Sequence, residues 1–140
     1  MRPRILATMG VLTGLLTLIG CAPEALEDRQ TWEAGVASAA ATVPGVDAVE
    51  ASYDVTGGMS ERRTMLVTAN VEATSTPELT PLVDAIEEAV APAVVGLPVK
   101  GATLRIKITG LPSAEGAGKP TEARSILLDD LATKYDLPRG

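Results

Sequence analysis

Between residues 101 and 109 every second side chain is apolar. Ala102, Leu104, Ile106 and Ile108 share one face, and Thr103, Arg105, Lys107 and Thr109 the other. A period of two predicts a strand buried on one side and wet on the other. The same alternation occurs twice earlier. In residues 46–56, Val49, Ala51, Tyr53 and Val55 point one way, against Glu50, Ser52, Asp54 and Thr56. In residues 64–74, Met65, Val67, Ala69, Val71 and Ala73 oppose Thr64, Leu66, Thr68, Asn70 and Glu72. Residues 57–63, opening on Gly57-Gly58, predict the hairpin loop between these two strands.

Elsewhere the spacing is three and four. Ala25, Arg29, Trp32, Val36, Ala39, Ala40 and Val43 predict a helix over residues 24–42, stopped by Pro44-Gly45. Trp32 lies on its apolar stripe and reads as a core anchor rather than a stacking surface. Ser75 and Glu78 stand at capping-box spacing, and Pro81 suits a first helical turn. A loose turn then a regular helix from Pro81 is expected, with Leu79, Leu82, Val83, Ile86, Ala89 and Val90 buried. Asp84, Glu87 and Glu88 are read as its solvated face, and Pro92 with Gly96-Leu97-Pro98 as its end. Residues 111–120 predict a flexible linker. Residues 121–135 predict a last helix with Ala123, Leu127, Leu128, Leu131 and Tyr135 on one side, followed by a tail.

The order helix, strand, strand, helix, strand predicts an α+β two-layer sandwich with helices on one face of a three-stranded sheet. A right-handed crossover that skips the first strand gives the antiparallel order 2-1-3. That order sets Arg105 and Lys107 beside Glu50 and Asp54, where opposite charges contribute about 0.2–1 kcal/mol per pair. The domain is expected over residues 29–110, the linker over 111–120, and the C-terminal helix and tail over 121–140.

The first twenty-one residues follow a different pattern. Met1-Arg2-Pro3-Arg4 is a cationic head, residues 5–19 are an apolar run, and Gly20 is small. That sequence of regions is a secretory signal peptide, expected over residues 1–20. The run falls short of the roughly 20 residues that span a bilayer as a helix. Its end, Leu18-Ile19-Gly20-Cys21, resembles the lipobox of bacterial lipoproteins. The resemblance implies cleavage between Gly20 and Cys21 and a diacylglyceryl group on the Cys21 thiol, a thiolate being a good nucleophile for alkylation. It implies palmitate-type acylation and a lipidated tether over residues 21–28. Two acyl chains suffice for stable anchoring, since each buried methylene adds about 0.8 kcal/mol. The implied place is the outer, extracytoplasmic face of the cell membrane. Beyond the leader, the alanine-rich helix and Val43-Pro44-Gly45-Val46-Asp47-Ala48-Val49 resemble small lipoproteins of high-GC Gram-positive bacteria. The same stretch, with a later helix and the strand Leu104 to Ile108, resembles alkaline-shock envelope proteins. No functional residue is carried over from either.

Charge and composition then narrow the function. The chain of 140 residues carries 12 basic and 18 acidic side chains. Losing Arg2 and Arg4 with the leader leaves 10 against 18, a net charge of −8. That balance argues against nucleic acid and against electrostatic adhesion to anionic lipid. A single cysteine permits no internal disulfide. With no phenylalanine and only Trp32, Tyr53 and Tyr135 aromatic, the core must be aliphatic. The absence of histidine removes Ser-His-Asp and Cys-His catalysis and every His-based metal site. No Asp-x-Asp-x-Asp loop or phosphate-binding glycine loop is present, so neither cofactor nor metal is implied.

The expectation is a non-enzymatic, lipid-anchored binding or scaffolding module of the cell envelope. Its membrane contact is the lipidated Cys21. Its protein partner would use the polar sheet face of Glu50, Asp54, Arg105 and Lys107, the free edge of the second strand, or the C-terminal helix. Two alternatives stay open. One is a substrate-capturing lipoprotein or weak hydrolase using Glu50 and Asp54. The other is a chaperone-like partner of an exporter that makes its contact through the last helix.

Overall fold

The computed structural model describes residues 26–57, 59–113 and 118–139. The chain divides into two units, residues 1–30 and 31–140. Of the first, the described residues are the opening turn of helix α1 (Leu26–Ala40). In the second unit the chain continues through strands β1 (Val46–Thr56) and β2 (Arg62–Val71), helix α2 (Thr76–Val95), strands β3 (Ala102–Thr109) and β4 (Thr121–Leu127), and helix α3 (Leu128–Lys134).

The class is α+β, with one mixed sheet in the order β1-β2-β3-β4. β1 and β2 form the expected antiparallel hairpin. β3 lies parallel to β2, and β4 returns antiparallel to β3. Three strands in the order 2-1-3 are therefore corrected to four in sequence order. The crossover through α2 stops beside β2 instead of passing over β1. Burial explains the choice. Met65, Val67, Leu104, Ile106 and Ile108 are at most 1% exposed, so the two most apolar strands share the centre. The strand expected to offer a free edge, β2, is an interior strand, and the edges are β1 and β4.

The second correction is at residues 121–127, which form a strand and not the first half of a helix. Residues 111–120 contain no helix or strand among those described, as expected, but their ends are tied. The Gly110 N–H donates to the Pro120 carbonyl at 2.8 Å, and the Leu111 N–H to the Ala73 carbonyl at 2.7 Å. This closes the turn that sends β4 back along β3. A methyl on Gly110 would lie 2.3 Å from the Ala73 oxygen and 2.8 Å from Pro120 Cγ. Gly110→Ala is therefore expected to cost about 2–3 kcal/mol in urea unfolding, the usual scale of an enforced overlap.

α2 starts at Thr76, earlier than the regular helix expected from Pro81, and runs past Pro92 to Val95. Its start is fixed by Glu78, whose Oε1 accepts from the backbone N–H of Ser75 at 3.1 Å and of Thr74 at 3.2 Å. Each internal proline removes one ladder hydrogen bond. The stripe Leu79, Val83, Ile86, Val90, Ala91, Val94 and Val95 holds the helix through both, since all seven are at most 1% exposed.

β1 contains an irregularity that simple alternation misses. Val46 opposes Val71 and Asp47 opposes Asn70, but the next pair is Glu50 with Thr68. The extra residue is a β-bulge with Ala48 at φ 48°. It shifts the parity, so that Val46 and Val49 both pack against the core while Asp47 and Glu50 are exposed. Asp47 Oδ1 accepts the Ala48 N–H at 2.9 Å and steadies the left-handed residue. At the edge of the sheet, Trp32 meets Tyr53 edge to face, with ring centroids 5.3 Å apart. Trp32 is thus the core anchor its position on the stripe suggested.

Candidate partner face

All the core-facing strand residues point to one side, where α2, α3 and the 31–40 segment of α1 contribute their apolar side chains. The other side has no described element upon it. Three cross-strand rows set its chemistry. Glu50, Thr68 and Lys107 form the first, Ser52, Leu66 and Arg105 the second, and Asp54, Thr64 and Thr103 the third.

Glu50, Asp54, Arg105 and Lys107 are all exposed on this face, as the alternation requires. Their expected adjacency is corrected. β2 stands between β1 and β3, so each acid is about 10 Å across the sheet from the nearest base. No ion pair joins these four among the described residues. The face thus carries an acidic stripe on β1 and a basic stripe on β3, with β2 between them neutral except for Arg62 at its start.

Shallow hollows mark the face. One is lined by Glu50, Thr68, Asn70 and Lys107, and another of about 360 Å³ by Asp54, Thr64, Leu66 and Arg105. Glu50 and Asp54 thus open into different hollows. Four residues apart on a strand, they are about 13 Å distant, beyond the roughly 5–10 Å that two-carboxylate hydrolysis uses. No group of three or more metal-ligating side chains is found among the described residues.

The most unusual charged group is elsewhere. Glu87, expected on the solvated face of its helix, is 0% exposed within α2. Its Oε1 accepts hydrogen bonds from the Lys134 ammonium and, at 2.7 Å, from the Tyr135 hydroxyl. Arg124 Nη1 lies 3.6 Å from Oε2 and also bonds Asp84. Burial disfavours the Glu87 anion, but Lys134, Tyr135 and Arg124 together outweigh it and hold its pKa below the ordinary carboxylate value. Burial and the Glu87 anion push the Tyr135 hydroxyl well above its own. The group can be found in the sequence. Glu87 stands four residues after Val83 and three before Val90, on the apolar stripe itself.

This cluster joins α2 to β4 and α3, so the C-terminal helix, which the sequence leaves free either to dock or to reach a neighbour, is docked on its own domain. Leu128 and Leu131 are at most 1% exposed. Arg139, expected in a tail, donates to the Val95 and Val99 carbonyls and pairs with Asp129 at 2.9 Å. Gly20 and Cys21, the cleavage and lipid sites, lie outside the described residues. No helix among the described residues is long and apolar enough to cross a membrane.

With this geometry in hand, comparison with known proteins adds no relative. No family model, curated protein or solved structure matches the chain.

Proposed function

We propose that this chain is a lipid-anchored cell-envelope protein, a non-enzymatic binding or scaffolding module held at the outer face of the membrane by acyl chains on Cys21. The observation that carries this reading is Leu18-Ile19-Gly20-Cys21 directly behind a cationic head and a 15-residue apolar run, at the one cysteine of the chain. An acidic domain has no electrostatic attraction to anionic lipid, so its hold on the bilayer would come from the acyl chains. The open sheet face, with separate acidic and basic stripes, is the contact surface this reading assigns to a protein partner.

Cys21→Ala tests the anchor. Wild-type protein should incorporate labelled palmitate and sediment with membranes. The variant should lose the label and remain as the uncleaved precursor. A variant that still takes up label at wild-type level contradicts the reading.

A further inference from the structure

We propose that the open sheet face pairs with a second copy of this chain, about a two-fold axis running along β2. The proposal rests on the reading of this face as the contact surface and names its occupant. The rows decide the arrangement. Rotation about an axis along β2 lays β1 of one copy over β3 of the other at the same level. Glu50 then meets Lys107, Asp54 comes within one row of Arg105, and Leu66 meets its own copy near the axis. Every ion pair occurs twice. The other face-to-face two-fold axis runs across the strands and lays β1 on β1. It sets Glu50 against Asp54, acid on acid, and is disfavoured. Of the two, the first is the more complementary at Glu50, Asp54, Arg105 and Lys107, and its one like-charge contact is Arg62 with its own copy at the end of the axis.

The area limits the strength. With the axis along β2 only β1, β2 and β3 overlap, and three strands about 4.8 Å apart and some eight residues long present roughly 400 Å² per copy. The total of about 800 Å² lies below the size of a standard specific interface and fits a weak, transient one. A rim of exposed charges around Leu66 gives a wet, salt-sensitive contact, with Kd on the order of 100 μM or weaker.

The experiment uses the full chain in neutral detergent and sedimentation velocity. Two variants reverse the stripes. Glu50→Lys with Asp54→Lys makes all four of these positions basic, and Arg105→Glu with Lys107→Glu makes all four acidic. Wild-type protein should dimerise at about 50 mM salt and dissociate towards 500 mM. Each variant alone should associate at least about tenfold more weakly, since attraction becomes repulsion at four pairs. An equimolar mixture of the two should restore a one-to-one dimer. That recovery also shows that both variants are folded. A monomeric wild type, or a dimer indifferent to both reversals, overturns the proposal. A photo-crosslinker at position 66 in intact cells separates this from the broader reading. Adducts with a different envelope protein only would overturn self-pairing and leave the face as a contact surface. No adduct at all would remove both.

Discussion

Ending the chain at Pro120 is expected to leave no cooperatively folded protein. The segment 121–139 looks dispensable as a linker-borne helix, yet it supplies β4 along the whole length of β3, from Thr103 to Thr109. It also buries Leu128 and Leu131, each contributing roughly 1.5–3 kcal/mol. Its loss would strip Glu87 of Lys134, Tyr135 and Arg124 together. Each charge-assisted hydrogen bond lost there is worth about 1.5–3 kcal/mol. The sum rivals the 5–15 kcal/mol that typically separates folded from unfolded chains. Circular dichroism should show no thermal transition for the truncated chain. A melt within a few degrees of the full chain would show that the segment is an appendage.

Glu87→Ala is the point substitution expected to cost most, about 3 kcal/mol. Its partners do not suffer equally. Lys134 is 46% exposed and can rehydrate, so most of the cost comes from the lost pairing and the cavity within α2's packed face. Tyr135→Phe removes one hydrogen bond to the same oxygen and should cost about 1–1.5 kcal/mol. The charged groups around Glu87 are Lys134, Arg124 and, beyond them, Asp84. Its pKa is lowered on folding, so its stabilisation is complete above the unfolded carboxylate value of 4.5 and is lost as pH falls through the lower folded value. Wild type and Glu87→Gln should therefore differ most near neutral pH and converge in acid. A constant gap from neutral to strongly acidic pH would mean that ionisation of Glu87 contributes nothing.

Period-two alternation made the first three strands legible, because each has a clean apolar face. It failed for β4 for a physical reason. Its core-side positions include Glu122 and Arg124, which face α2's polar flank, where Thr80 and Asp84 are their partners. A strand paired to charges on a helix shows no apolar stripe, and its Glu, Ala, Arg and Leu are good helix formers. Missing β4 left the wrong number of strands. The order 2-1-3 rests on a charge match between β1 and β3, which burial outweighs. β2 and β3 carry the large uninterrupted apolar faces and so belong side by side in the middle. Glu50, Asp54, Arg105 and Lys107 all lie on the polar side of the sheet, which alternation alone predicts, because parity needs no knowledge of strand order. Their separation did need it.

Intact mass spectrometry of the chain extracted from membranes tests whether Cys21 is the lipid-bearing first residue of the mature protein. The proposed anchor requires a polypeptide beginning at Cys21 and heavier than its sequence by a diacylglyceryl group, with or without a further acyl chain. An unmodified chain in the medium that begins at any other residue would contradict it.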